Sequence, residues 1–217
     1  MLKGFVYILS APSGTGKTTV GNLLLKEVPF LERVITATTR GPREGEIHGR
    51  DYYFLKEEDF KRKIEESFFL EWAKVYNYYY GTPKSEVERI LSQGKDALLI
   101  IDVQGAFQVK KLLPNAVGIF LLPPSLEELK NRLLKRGEKE LNQRLEWAKK
   151  ELPCAKFFDY VVVNDRLEEA VEEIKSIMVA NRRRTNFVFS NGNFKKLKFK
   201  EDIFEAIKGG SCHAKEI

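Results

Sequence analysis

An α/β fold, a parallel sheet flanked by helices, is what this sequence predicts. Short apolar, β-rich runs alternate with amphipathic helical stretches along the chain. The most apolar runs, Ala97 to Ile101 and Val117 to Leu122, are nearly uninterrupted, as strands covered on both faces are. A glycine-rich turn, Ser10 to Thr18, sits between the first such run and the first helical stretch.

Taken in order, Phe5 to Leu9 reads as a buried strand and Thr18 to Val28 as a helix, with Val20, Leu23, Leu24 and Val28 at helical spacing. Val34 to Thr38 predicts a second strand and Tyr52 to Leu55 another. Glu57 to Ser67 predicts a helix with Phe60 and Ile64 on one face, and Phe68 to Trp72 a strand. Thr82-Pro83 has the form of an N-cap followed by proline in the first turn, opening a helix through Val87, Ile90 and Leu91 to Gly94. Ser125 with Glu128 forms a capping box before the helix of Leu129 and Leu133. The charged connection Gly137-Glu138-Lys139-Glu140 leads to a helix through Leu145 and Ala148. Val161 to Val163 is the last core strand and Leu167 to Val179 the last core helix. Trp147, Phe157 and Phe158 read as core. Beyond Ala180, Phe187-Val188-Phe189 and Phe194 flank Asn191-Gly192, a hairpin signal.

At 217 residues the chain suits one domain, or one domain with small inserted lobes. Hydrophobic residues make up 43% and charged residues 31%, an ordinary globular composition. No apolar run approaches the ~20 residues that span a bilayer. The stretch Met1 to Leu9 is too brief for a secretory signal and runs into the glycine-rich turn instead of a cleavage site. Cys154 and Cys212 have neither metal-ligand spacing nor a disulfide framework, and a reducing, cytoplasmic setting is expected. The net charge of +6 suits polyanionic partners, nucleic acid or nucleotide phosphates, and equally a plain solvated basic surface, so by itself it decides little and no nucleic acid is required.

The glycine-rich turn, Ser10-Ala11-Pro12-Ser13-Gly14-Thr15-Gly16-Lys17-Thr18, follows the phosphate-loop form G-x-x-x-x-G-K-[ST], except that Ala11 stands at the first glycine place. Gly14 and Gly16 let the backbone turn so that successive N–H groups converge on phosphate oxygens. The start of the following helix adds partial positive charge. Lys17 is placed to reach the β- and γ-phosphates and the Thr18 hydroxyl to coordinate Mg²⁺. Ala11, Pro12, Ser13, Gly14, Thr15, Gly16, Lys17 and Thr18 are therefore the expected ATP-binding segment.

The stretch Thr36-Ala37-Thr38-Thr39-Arg40-Gly41-Pro42-Arg43-Glu44-Gly45-Glu46-Ile47-His48-Gly49-Arg50-Asp51-Tyr52-Tyr53-Phe54 resembles the acceptor-binding signature of guanylate kinases. The likeness continues through Phe69 to Ala73, Tyr79 to Thr82, Ile101 to Ala106 and Leu122 to Ser125, and ends near Val163-Asn164-Asp165, covering about residues 4 to 180. It implies a P-loop NTPase fold with a GMP-binding lobe at about 36–82 and a short lid at about 132–144. The implied reaction is transfer of the γ-phosphate of Mg-ATP to GMP or dGMP, giving ADP and GDP. Residues 1–180 would form this domain and 181–217 an extension of unknown role, read as structural, with its apolar residues covering the core or a second subunit, against the other reading of a nucleic-acid- or partner-binding appendage.

The residues agree with that chemistry. Guanine presents two N–H donors beside O6, and an ionised carboxylate, which only accepts, pairs with those donors. The resemblance places Glu71 and Asp102 there, with Thr82 at O6 and Thr36 supporting the ring. Arg40 and Arg43 have the fork geometry that grips a phosphate, and the resemblance adds Tyr52 and Tyr80. On the donor side it implies Arg132 at the base and Arg136 and Arg144 at the phosphates. Lys17, Arg40, Arg136 and Arg144 would neutralise the charge spread over the transferring group. His48, a lone loop histidine, reads as a surface residue.

In one place the chain departs from the family pattern. Guanylate kinases usually show Asp-x-Asp before the Gln-Gly pair, and here the sequence is Ile100-Ile101-Asp102. The first acid helps order Mg²⁺ in the family, so the ion would be left to Thr18, Asp102, water and the phosphates. Two other readings stand beside the kinase: a non-catalytic guanylate-kinase-like module that binds protein ligands, and a kinase of another monophosphate. Lys17 and Thr18 argue against the first, Glu71 with Asp102 against adenine. The sequence leaves open whether the chain forms a homo-oligomer.

Overall fold

The structure, a computed structural model, describes residues 4–75, 77–135 and 141–190. The chain divides into two compact units, one from Leu2 to Ile177 and a smaller one beginning at Met178.

Five strands form the main sheet of the larger unit: β1 (Val6–Ser10), β2 (Leu31–Arg33), β7 (Asp96–Ile100), β8 (Val117–Leu122) and β9 (Tyr160–Val163). Their order is β2-β7-β1-β8-β9 and every pairing is parallel, with Ile8 opposite Leu99 on one side and Gly118 on the other. The apolar runs are uninterrupted because helices cover both faces: Ile8, Leu9, Leu98, Leu99, Ile119 and Phe120 are fully buried. Parallel neighbours need crossovers. These use α1 (Lys17–Glu27), α3 (Lys84–Ser92), α4 (Val103–Leu112), α5 (Leu126–Lys135) and α6 (Leu141–Glu151). Val87, Ile90 and Leu91 of α3 and Ala106 and Val109 of α4 pack with Ile8 and Leu99 in one cluster.

A second sheet has the order β4-β3-β6-β5, from β3 (Ala37–Thr38), β4 (Tyr53–Phe54), β5 (Phe69–Val75) and β6 (Tyr78–Pro83). It has its own core, in which Phe60 of α2 (Glu57–Glu65) stacks on Phe69 at 4.5 Å and on Tyr79 at 5.5 Å. This lobe departs from the single strand expected at 34–38. The chain ends β2 at Arg33 in the main sheet, Val34 N–H bonds Leu98 O at 3.0 Å, and the next strand, β3, already belongs to the other sheet. A strand-like stretch here is the crossing between two sheets.

Two further readings are corrected. Thr82 does not cap α3; it is strand residue, Pro83 occupies the N-cap without a side-chain bond, and the Thr82 hydroxyl is engaged elsewhere. Trp147 and Phe157 are 44% and 62% exposed, so only Phe158, 5.0 Å from Phe120, joins the core. The capping residue at α5 is as expected: Ser125 Oγ accepts from Glu128 N–H at 3.0 Å. The Glu128 carboxylate, however, accepts from Arg132.

In the smaller unit, Phe187 to Phe189 lies in a short helix, α8 (Thr185–Ser190), and does not form the first arm of a hairpin. Val188 N–H bonds Arg184 O at 3.0 Å, a helical bond, and Phe187 and Val188 are buried. Aromatic and β-branched content is a weak guide where burial decides. Asn191-Gly192 and Phe194 lie outside the described residues. The boundary between the units falls in α7 (Leu167–Arg182).

Candidate active site

β1 delivers the chain into the loop at Ala11, and α1 leaves it at Lys17. Gly14 (φ 89°) and Gly16 (φ 101°) are both in the left-handed region, where a side chain is strained. Gly16 is also the N-cap of α1 and makes no side-chain cap, so the first N–H groups of the helix are not consumed by one. A Cβ at Gly16 would lie 2.4 Å from Asn164 Nδ2. That amide donates to Thr15 O at 2.7 Å and braces the loop from the end of β9. Asn164→Ala is expected to cost about 1 kcal/mol of stability, because it removes the shorter of two bonds to the Thr15 carbonyl and leaves only Arg132 Nη1 at 3.4 Å, and to raise KM for ATP. Urea unfolding and initial rates check this; unchanged values for both would remove the bracing role.

Lys17 Nζ donates to Ile101 O at 2.9 Å, beyond the end of β7. Burial lowers its pKa, opposed by the charges of Asp102 and Glu151. Arg144 Nη1 donates to Ser13 Oγ at 2.9 Å, so α6 reaches the loop. Arg132 is drawn beneath the loop: its Nη1 donates to Asn164 O at 3.0 Å and Thr15 O at 3.4 Å, and its Nε to Glu128 at 2.8 Å. Arg136 lies outside the described residues.

A cleft of about 320 Å³ joins the loop to the lobe. Lys17, Thr18, Arg40, Arg43, Tyr52, Tyr80 and Asp102 all face it, as do Ala11, Pro12, Ser13, Gly14 and Gly16. Arg40 lies over the Tyr52 ring at 5.5 Å, and Tyr52 meets Tyr80 edge-on at 6.3 Å. Burial raises the Tyr52 pKa, keeping its hydroxyl a donor. Burial works against the charge on Arg40, but Glu46 and Tyr80 outweigh it and raise its pKa.

Glu71, Thr82 and Thr36 do not line the cleft; all three are buried in the lobe. Thr82 Oγ1 donates to Glu71 Oε1 at 2.6 Å across the β5–β6 pair. The other carboxylate oxygen faces α4, where a Cβ at Gly105 would lie 2.6 Å from Glu71 Oε2. Asp102 caps α4 by accepting from Gly105 N–H at 2.9 Å, so the two acids converge at that helix start. Thr36 lends its carbonyl to Tyr53 N–H at 2.9 Å. His48 is exposed, its Nδ1 accepting from Phe54 N–H at 3.2 Å, and it does not line the cleft.

Several cleft residues have no signal in the sequence. Arg33, Lys74, Trp147 and Glu151 arrive from β2, β5 and α6, far apart in the chain. Burial raises Glu151 to about 7, opposed by Lys17 and reinforced by Asp102. Glu46 lies inside the acceptor signature, where nothing in the sequence marks it for a role. The side chain of Ile100, at the place of the usual first acid, points at α1: a Cβ at Gly21 would lie 2.4 Å from Ile100 Cδ1.

A parallel sheet with a phosphate loop at the end of its first strand, facing an arginine-bearing lobe across one cleft, defines a P-loop nucleotide kinase. The sequence model of the guanylate kinase family matches residues 3–181. The chain is 48% identical over 187 residues to a guanylate kinase of Caldanaerobacter subterraneus subsp. tengcongensis, covering 85% of this chain and 91% of that one. It is 51% identical over 189 residues to one of Clostridium tetani, covering 86% and 90%. The crystal structure of guanylate kinase from Anaplasma phagocytophilum superposes with a TM-score of 0.72 at 36% identity, over 85% of this chain and 90% of that one. The chain belongs to the guanylate kinase family.

Proposed function

We propose that the chain transfers the γ-phosphoryl group of Mg-ATP to GMP, giving ADP and GDP, with dGMP as a second acceptor. The observation that carries this is the shared cleft, in which Lys17 and Thr18 on the loop face Arg40, Arg43, Tyr52 and Tyr80 on the lobe. The loop's N–H groups and Lys17 hold the donor phosphates, and Arg40, Arg43, Tyr52 and Tyr80 hold the acceptor's. Glu71 and Asp102 read guanine's N–H donors, with Thr82 and Thr36 beside them. Arg144, already at Ser13, and Arg136 meet the transferring group from the lid, and Arg132 serves the donor side. A GMP phosphate oxygen is anionic at neutral pH and needs no general base; positioning and charge neutralisation do the catalysis.

The residues present suit Mg²⁺ carried in by the phosphates. Among the described residues no group of three or more His, Cys, Asp or Glu forms a cage, while Thr18 and Asp102 offer hard oxygen ligands in the cleft. When bound, the ion would draw charge from the β- and γ-phosphate oxygens.

Residues 36–82 would act as the acceptor lobe and 132–144 as a lid that closes with it and excludes water. No helix among the described residues is long and apolar enough to cross a membrane, and we place the enzyme in the cytoplasm, leaving a homo-oligomer open. ADP release measured in parallel with GMP, dGMP, AMP, UMP and CMP tests the assignment. GMP and dGMP should exceed the others in kcat/KM by about a thousandfold or more, the discrimination that a hydrogen-bonding base site gives. Equal turnover of AMP would refute it.

A further inference from the structure

We propose that Glu46 is a positioning residue of the acceptor-phosphate site, holding Arg40 and the backbone of Arg43 in the arrangement that grips a nucleotide monophosphate. This rests on the reading of Arg40 and Arg43 as phosphate binders. Both carboxylate oxygens of Glu46 accept from Arg40 Nη2 at 2.9 Å, and Oε2 also accepts from Arg43 N–H at 2.8 Å. One carboxylate thus ties the side chain of the first arginine to the main chain of the second. The pair is well shielded, at 12% exposure for the Arg40 side chain and 20% for Glu46, so solvent and salt screen it less than a surface ion pair.

The local backbone is shaped to make this tie. Gly45 (φ 81°) occupies the third place of a turn in which Glu46 N–H returns to Arg43 O at 3.1 Å. A positive φ at that place favours glycine, and the turn aims the Glu46 side chain back at Arg40. Glu46 engages the guanidinium through Nη2 alone, and Nη1 donates to Gly41 O at 2.7 Å. A guanidinium has five N–H donors, so Arg40 retains others for phosphate oxygens. Glu46 and both arginines line the cleft.

A carboxylate beside a phosphate site has a second conceivable role, that of a stand-in anion which the incoming phosphate displaces. The two roles have opposite signs. A stand-in must leave, and leaving would also break the bond to Arg43 N–H and pull against the turn. A positioning carboxylate stays, and its removal loosens both arginines.

The test is steady-state kinetics of Glu46→Ala, Glu46→Gln and Arg40→Met, with GMP and ATP varied separately. Glu46→Ala should raise KM for GMP roughly tenfold, the scale of losing a charge-assisted hydrogen bond. KM for ATP should move less than about twofold, and kcat should change less than KM for GMP. Glu46→Gln, which keeps one acceptor oxygen, should recover part of the loss, and it carries the test if Glu46→Ala fails to fold. A KM for GMP that is unchanged or lower in the Glu46 variants, while Arg40→Met raises it, overturns the positioning role. An Arg40→Met enzyme with normal KM for GMP would instead overturn the acceptor-site reading beneath it.

Discussion

Lys17→Met should lower kcat about a thousandfold while leaving the dissociation constant for GMP within about threefold, since a donor aimed at charge developing in the transition state is worth roughly that much. The lysine belongs to the loop, and its ammonium rests on Ile101 O at 2.9 Å, at the end of the strand that leads to Asp102. It lines the cleft, with Asp102 and Glu151 opposing the effect of burial on its charge. Methionine keeps the length and loses the cation, so the packing survives. Single-turnover kinetics separate the transfer step from product release, and equilibrium titration with GMP isolates the acceptor site. Turnover within tenfold of normal would mean that the loop does not hold the donor. A matching loss of GMP affinity would mean that donor and acceptor sites are not divided as the cleft suggests.

The main sheet was legible in the sequence because its signals are local. A strand buried on both faces must be apolar throughout, and a phosphate loop must place Gly14, Gly16 and Lys17 at fixed spacing. Arg40 and Arg43 were legible only through the family resemblance, since two arginines in a Gly/Pro-rich loop read by themselves as solvated charges; the structure brings both to one cleft with Tyr52 and Tyr80. What could not be read depends on contacts between distant segments. Residues 34–38 look like one strand, yet they bridge two sheets, because the pairing partners Leu98 and Gly81 lie in different layers. Thr82 has the residue type of a cap, but a buried carboxylate eleven positions earlier takes its hydroxyl at 2.6 Å. Trp147 has the composition of core and the position of a cleft wall, since exposure is decided by which way α6 faces. Glu46 was in plain view within the signature, but its role appears only when the turn at Gly45 folds it onto Arg40.

Glu71 gives the last expected result, a proton released when guanine binds. Burial in the lobe raises its pKa from 4.5 to about 7, with the Thr82 hydrogen bonds opposing and the charge of Asp102 adding. The folded chain therefore holds this proton to a higher pH than the unfolded chain. Stability from this group is highest below 4.5 and declines as the pH rises to about 7, a change on the order of 3 kcal/mol. Under the proposed reading of the base, guanine's N–H donors would favour the ionised carboxylate and offset that cost. Guanosine affinity should accordingly rise between pH 6 and 8, and binding at pH 6 should release close to one proton, measured by calorimetry in two buffers of different ionisation heat. Guanosine is the right probe because the second ionisation of a phosphate monoester, near pH 6, would confuse the count with GMP. Glu71→Gln should weaken guanosine about a hundredfold or more, since an amide NH₂ then faces guanine's own donors, and should abolish the proton release. If the variant keeps its affinity, Glu71 does not read the base. If it loses affinity and still releases the proton, the titrating group is a different one, and Glu151, which burial also raises to about 7 beside Lys17 and Asp102, is the next to replace with glutamine.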